Sequence, residues 1–411
     1  MSMNALPPVG DPRAQRLISL DALRGFIMVM LGASVFGLHR VAVNIGDSGI
    51  WPWIKFHTEH AAWETNVGWI GVSFWDLIQP LFMFMVGVSL PFSYAARKQK
   101  GHSEQRIVLH TLWRSLVLVL LGVFLASTSS SQTRFVFTNV LAQIGLGYTF
   151  LFLLLRARPV IQASAILAIL VGYWLFFFMH GGSAGPEISE SASTVMEAPF
   201  QQWSKNGNAA TDVDRWLLNK FSRPDGEAFR FNAGGYHTLN FIPSLATMIL
   251  GLMAGQLLMS RRDDRHKLGL LLLGGLVCLL LGVLSGLFVC PVVKRIWTPS
   301  WTLYSGAWVL WVLALFYLIF DVARLRKIAF PLVIVGMNPL AMYMMGQLLR
   351  GWLIKMFTIH GGQITSEVAG GLGLSEATRV NFAPLCQYSA AFTLMWLICY
   401  WMYRRKIFLR I

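Results

Sequence analysis

The chain has 411 residues, of which 55% are hydrophobic and only 13% charged, which is too apolar and too charge-poor for an ordinary soluble domain. Its formal charge of +15 is dispersed over short segments and not gathered in one basic domain, so no nucleic-acid partner is expected. The four cysteines (Cys278, Cys290, Cys386 and Cys399) form no CxxC pair and no metal spacing; they read as small buried residues, and no metal is expected.

Crossing the hydrocarbon core of a bilayer takes about 20 predominantly apolar residues. Ten such segments follow one another: roughly 17–38, 69–96, 107–126, 135–155, 159–180, 238–260, 267–290, 299–322, 328–350 and 385–403. The expected fold is therefore all-α: a polytopic helical membrane protein of about ten transmembrane helices, forming a single domain over 1–411 with the lipid bilayer as its solvent. The first apolar run reads as a span and not as a signal peptide, because Asp21 and Arg24 interrupt its start. Two segments, 181–237 and 351–384, are too long to be mere connections.

The basic residues orient the spans. Alternate connections hold 19 of the 34 Lys and Arg in short groups, such as Arg97, Lys98, Lys100 and Arg106, or Arg261, Arg262, Arg265 and Lys267. The opposite connections hold 13, spread over far more residues and mixed with most of the acids. The positive-inside rule then places both termini in the cytoplasm, in a cell (inner) membrane, and 39–68 and 181–237 outside.

Two cations lie inside spans, where a charge is costly and by default functional. Arg24, in "RLISLDALRGF", has Asp21 one turn away, which can neutralise it structurally. Arg114, in "HTLWRSL", has no carboxylate on its own helix and lies on the order of 10 Å beyond Ile107 at 1.5 Å per residue. Two inner-leaflet cations suit an anionic, phosphate-bearing ligand. Across the membrane from them stands "HTEHAAWETNVGWIGVSFWDLIQP", which carries His57, His60, Trp63, Trp69, Trp75 and Asp76. The tryptophans can be interfacial belt residues and Asp76 can cap a helix, so this cluster has an ordinary reading beside a chemical one.

Taken together, "SLDALRG", the His60–Ala–Ala–Trp63 step, "IGVSFWDLIQPLFMFMVGVS", "WRS", "NVLAQIGLGY", "GGYHTLNFIPS" and "GMNPLAMY" resemble the heparan-α-glucosaminide N-acetyltransferase family, in the family's order along essentially the whole chain. "SLDALRG" alone also resembles the broader class of membrane acyltransferases. Animal members carry an extra luminal domain and a preceding anchor span, so a bacterial relative is expected. The resemblance implies a membrane enzyme that takes acetyl from cytosolic acetyl-CoA and passes it to the amine of a terminal glucosamine on the far side. It implies an essential histidine in a His–x–x–Trp–Asn–Gly motif followed by Asp–Leu and Pro. His60 and Trp63 fit the first half and Gly71, Asp76, Leu77 and Pro80 the second, with about six extra residues, "ETNVGW", between them. If the alignment slides along this insertion, Trp69 takes the tryptophan position, and His57 is the reserve histidine.

The site so implied has His60 as base or acetyl carrier and Asp76 orienting the imidazole or stabilising its own helix. Trp63 and His57 are placed beside the acceptor sugar. Arg24 and Arg114 are placed at the acetyl-CoA phosphates. Asn240 and Asn338 are candidate hydrogen-bond donors, Asn240 to the oxyanion and Asn338 on the donor side, or else helix-to-helix bonds. Partners are acetyl-CoA and an amino sugar or glycan, and a homodimer is compatible with the sequence. The other readings are a multi-span sugar or metabolite transporter, for which paired broken helices would be expected, and a non-catalytic scaffold. In the long outer segment, Trp203, Trp216, Phe229, Phe231 and Tyr236 suit either a glycan site or an amphipathic segment on the membrane surface.

Overall fold

The computed structural model describes residues 17–63, 73–182, 195–223, 226–373 and 375–409. Fifteen α-helices follow in order: α1 Ile18–Ala33, α2 Leu38–Ile45, α3 Trp51–Thr58, α4 Phe74–Gln99, α5 Glu104–Ser127, α6 Val140–Leu153, α7 Pro159–His180, α8 Ala209–Leu218, α9 Phe241–Met259, α10 Asp264–Phe288, α11 Pro299–Tyr317, α12 Phe330–Met337, α13 Pro339–Leu348, α14 Arg350–Gly371 and α15 Glu376–Arg404. Each of the ten expected spans contains helix among the described residues. Among the described residues, seven helices are long and apolar enough to cross a membrane: α4, α5, α7, α9, α10, α11 with its π-helical extension, and α15. The pair Ile18–Ala33 and Val35–Ile45, bent by 47°, passes the same length and composition test when taken together, which gives up to eight. The remaining two expected spans are the 14-residue α6 and the α12–α13 pair, broken at Asn338. Leu273, Leu280, Leu284 and Leu287 on α10 are exposed, as are Leu109, Trp113 and Leu120 on α5. Surfaces this apolar are stable against lipid, not water.

The helix starts are written in the sequence. Ser103, Asn139, Asn208, Asp263 and Ser375 each accept the backbone N–H three residues on, satisfying one of the donors that a first turn leaves open. The start of α1 has a more distant cap. Asp321, in the π-helical turn Leu318–Val322, accepts the N–H groups of Ile18 and Ser19, both at 3.1 Å.

The chain forms two compact units. The first is built from Gln79–Ala314 with a short piece around Trp63. Here α4 and α9 touch backbone to backbone: a Cβ on Gly87 would stand 1.9 Å from Met248 O, and one on Gly251 2.1 Å from Phe84 O. With little hydrophobic drive between helices in lipid, such approaches supply the packing energy. Further along the chain, Gln143 of α6 donates to the carbonyls of Phe137 and Thr238. Part of the segment after α7 is packed into the core of this unit. Trp203 is fully buried and stacks on Phe177 at 4.5 Å and 8°. Trp63 donates to Trp203 O, and Tyr173 to Ile296 O, both at 3.1 Å. Trp216, by contrast, is 65% exposed.

The second unit is built from Leu17–Ala61, Val72–Ile78 and Leu315–Ile411. Its centre is the crossing of α1 and α12, where Gly25 and Gly336 meet the partner backbone reciprocally: a Cβ would stand 1.9 Å from Leu332 O or Asp21 O respectively. The "SLDALRG" and "GMNPLAMY" elements are thus two sides of one contact. Between α1 and α2 four successive residues, Ser34, Val35, Phe36 and Gly37, take left-handed backbone angles, so α1 ends sharply. Arg350 donates to the carbonyl of Leu31 at 2.9 Å, and that carbonyl also accepts Ser34 N–H at 3.2 Å. The segment 351–384 folds as α14 and the start of α15.

Candidate active site

In the second unit, the first turn of α4 holds both histidines of the opening cluster. Ser73 starts the helix, its hydroxyl accepting Asp76 N–H at 3.1 Å. Asp76 lies in the first turn, where the helix dipole favours a carboxylate. Its Oδ1 is 2.7 Å from His60 Nδ1, and its Oδ2 accepts the N–H of Ala61 at 3.0 Å. The carboxylate therefore fixes both the ring of His60 and the backbone behind it. Asp76 is 4% exposed and His60 39%, so the acid is buried and the imidazole reaches the surface of the unit. A ring that gives its Nδ1 proton to a carboxylate carries its basic lone pair on Nε2. Trp75 flanks His60, their ring centroids 6.3 Å apart.

His57 is held differently. It sits on α3 between Trp53 and Phe56, at centroid distances of 4.4 and 5.1 Å, and its Nδ1 accepts the N–H of Phe74 at 3.2 Å. Burial lowers the pKa of the ring below the usual histidine value. A neutral imidazole is what that acceptor role requires. Of the two, the structure couples His60 to an acid and uses His57 to dock α3 on α4.

The other expected site residues lie elsewhere. Trp63 belongs to the first unit, is 5% exposed and packs in the core with Trp203. Trp69 and Gly71 fall outside the described residues. Asn240, also in the first unit, donates to Arg295 O at 2.7 Å, while its buried Oδ1 has no hydrogen-bond partner among the described residues. Asn338 ties the α12–α13 break to the C-terminal segment, donating to Ile407 O and accepting from Leu409 N, both at 3.0 Å. Arg24 pairs with Asp21 at 3.2 Å and lies 3.4 Å from Gly336 O.

Arg114 forms part of a polar group in the first unit that the sequence showed only in pieces. It donates to Tyr148 OH at 3.1 Å and covers that ring at 4.6 Å. One turn earlier, His110 Nε2 accepts from Arg97 at 3.1 Å, which leaves the proton on Nδ1. That nitrogen and Arg114 Nε are both buried without partners among the described residues. The group holds two guanidiniums, an imidazole and two orphan donors. Buried donors of this kind call for an acceptor the protein does not itself provide. The i, i+4 spacing of His110 and Arg114 was the available signal; Arg97 had counted only toward orientation.

Fold and site together define a polytopic helical membrane protein that carries a carboxylate-bound histidine at the end of one span. No protein-family model matches the chain. It is similar to heparan-alpha-glucosaminide N-acetyltransferase of Homo sapiens, 24% identical over 449 residues that take in 100% of this chain and 61% of that protein. It is similar also to the protein of the same name from Mus musculus, 22% identical over 456 residues, with 100% and 63% covered. The chain thus spans a little over three-fifths of the length of these relatives, and the relationship is distant.

Proposed function

We propose that this protein is a membrane acetyltransferase that moves acetyl from acetyl-CoA to the amine of a glucosamine-type sugar, with His60 as the group that handles the proton or the acetyl. The observation that carries this reading is the 2.7 Å contact between His60 and the buried Asp76. In direct transfer, the sugar nitrogen bonds to the acetyl carbon, Nε2 takes the amine proton, and the C–S bond breaks to release the thiol of CoA once it is protonated. Asp76 stabilises the imidazolium that forms and holds the ring in one tautomer. In the two-step route, Nε2 itself bonds to the acetyl carbon as the C–S bond breaks and CoA leaves as its thiolate. The amine then bonds to that carbon, the Nε2–C bond breaks, and the freed Nε2 takes the amine proton. Both routes use the same nitrogen.

The orphan donors of the Arg97–His110–Arg114 group support a place there for the phosphates of acetyl-CoA, because charge-assisted hydrogen bonds are the strong ones. This group lies toward the Gln99 and Glu104 ends of α4 and α5, which the positive-inside reading assigns to the cytoplasm. The two relatives are named as heparan-alpha-glucosaminide N-acetyltransferases, which supports glucosamine as the acceptor. The test is incubation of the purified protein with radiolabelled acetyl-CoA and glucosamine. Labelled acetylglucosamine is the expected product; its absence from folded protein overturns the reading.

A further inference from the structure

In the second unit, α11 with its π-helical extension stops at Val322, and α15 stops at Arg404. Both are long and apolar enough to cross a membrane, so each stop marks an edge of the bilayer. Arg324, Arg326 and Lys327 follow the first stop, Arg404, Arg405 and Lys406 form the second, and all six are exposed. Tertiary structure brings the two groups to one end of the unit. The rings of Phe330 and Tyr403 meet at 6.1 Å, and Asn338 holds the backbone of Ile407 and Leu409. Arg324 and Lys406 take left-handed backbone angles, so each chain leaves its helix on a cation, which the negative end of the helix dipole favours.

No carboxylate answers this charge. None of the six forms an ion pair among the described residues; Arg404 donates to the Tyr400 phenol at 3.1 Å. The sequence from Leu315 onward holds three acids, Asp321, Glu367 and Glu376. Both oxygens of Asp321 are taken by the N–H groups of Ile18 and Ser19. Glu376 starts α15, about 42 Å along that helix from Arg404 at 1.5 Å per residue. Glu367 is three residues from Gly370, which approaches Arg379 near the same far end. Other basic connections are balanced within the protein. Lys98 and Arg156 bind Glu104, and Arg261, Arg262 and Arg265 share their connection with Asp263 and Asp264.

Large apolar side chains are set among the cations. Leu325, Ile328, Trp401 and Ile407 are all exposed. A surface that mixes lysine, arginine and such groups matches the boundary of a bilayer, where the apolar groups enter the edge of the hydrocarbon and the cations meet phosphates. Guanidiniums suit that partner through their fork of donors. Orientation of the spans needs only positive charge in short connections. It does not require that two segments distant in sequence be gathered, nor that apolar residues stand between their charges.

We propose that this patch is a binding site for the headgroups of anionic phospholipids. None of the groups invoked for acetyl transfer belongs to it. The test is native mass spectrometry of the full chain in detergent, with dioleoylphosphatidylglycerol or dioleoylphosphatidylcholine added. The two lipids share their acyl chains, so a difference in retention reports the headgroup charge. The parent should retain the anionic lipid about tenfold or more over the zwitterionic one. Arg324→Gln/Arg326→Gln/Lys327→Gln and Arg404→Gln/Arg405→Gln/Lys406→Gln proteins should each lose most of that preference. Arg261→Gln/Arg262→Gln/Arg265→Gln removes as many cations from another connection and should keep it. Glycerol 3-phosphate, a soluble phosphate without acyl chains, should not displace the bound lipid. Equal retention of the two lipids by the parent overturns the proposal without recourse to any variant. It is overturned also if either patch variant keeps the parental preference, if the third variant loses as much, or if glycerol 3-phosphate displaces the lipid.

Discussion

Asp76 holds His60 from two directions, by its Oδ1 at 2.7 Å from the ring Nδ1 and by its Oδ2 on the N–H of Ala61 at 3.0 Å. A carboxylate that only capped α4 would have no reason to bind a ring sixteen residues upstream. Asp76→Asn keeps the size and removes the charge. It should lower the rate of acetyl transfer by about 10²–10⁴, with acetyl-CoA binding nearly unchanged. A variant within a few-fold of the parent would leave Asp76 a helix-stabilising residue only.

The donor proposal predicts a different split. Arg114→Ala and Arg97→Ala should each weaken acetyl-CoA binding by an amount corresponding to about 1.5–3 kcal/mol, the worth of a charge-assisted hydrogen bond. Arg24→Ala, which removes a partner of Asp21 on its own helix, should affect melting more than donor affinity. Equilibrium binding and a thermal melt in detergent on the three variants separate these effects.

Gly25 and Gly336 test the helix crossing of the second unit. Alanine at either position puts a methyl 1.9 Å from a backbone carbonyl oxygen, so backbone must shift. Each substitution should cost about 1–3 kcal/mol or more and lower the melting temperature. Gly269→Ala on α10, where nothing lies within 4 Å, is the control and should not destabilise.

Acid should loosen the junction of α3 with α4. His57 has a lowered pKa in the folded protein, so the unfolded chain binds a proton more readily. The stability it contributes is present above the unfolded value, about 6.5, and is lost as pH falls through the folded one. Melting temperature should drop between pH 7 and pH 5, and His57→Gln should show a smaller drop. Equal drops would assign the acid sensitivity elsewhere.

Orientation is open to cysteine labelling. With exposed Cys386 replaced by serine, an impermeant maleimide should label Ser131→Cys from outside and fail to label Lys100→Cys; both positions are at exposed connections. Position 207, in the middle of the long segment 181–237, is buried and would report nothing. The reverse labelling pattern would place His60 and the acetyl-CoA group on the wrong sides for the proposed transfer.

The positions of the spans were legible because lipid imposes a length and a composition on every crossing. Their breaks were not. Of the four left-handed residues that end α1, only Gly37 signals such a backbone, while Val35 and Phe36 argue against it. Helix α14, rich in glycine, has only the short apolar stretch Trp352–Ile359, too little to announce a helix of 22 residues. Asp76 and His60 could be paired from sequence only through resemblance, since sixteen residues separate them and no local periodicity brings them together. Trp63 and Trp203 looked like binding or interfacial residues because tryptophan serves there too. Both are packed in the core of the first unit, a distinction that belongs to tertiary structure.

The central claim rests on His60. Purified His60→Ala protein, assayed for acetyl transfer from radiolabelled acetyl-CoA to glucosamine at saturating donor from pH 5 to 8, should lose at least about 10²–10⁴ in turnover. Its melting temperature and acetyl-CoA affinity should stay near those of the parent, because the half-exposed ring contributes little packing. Under the same conditions His57→Ala should keep far more of its activity. A His60→Ala protein that turns over at most of the parental rate would contradict the account and leave His60 a loop residue bound to a capping acid.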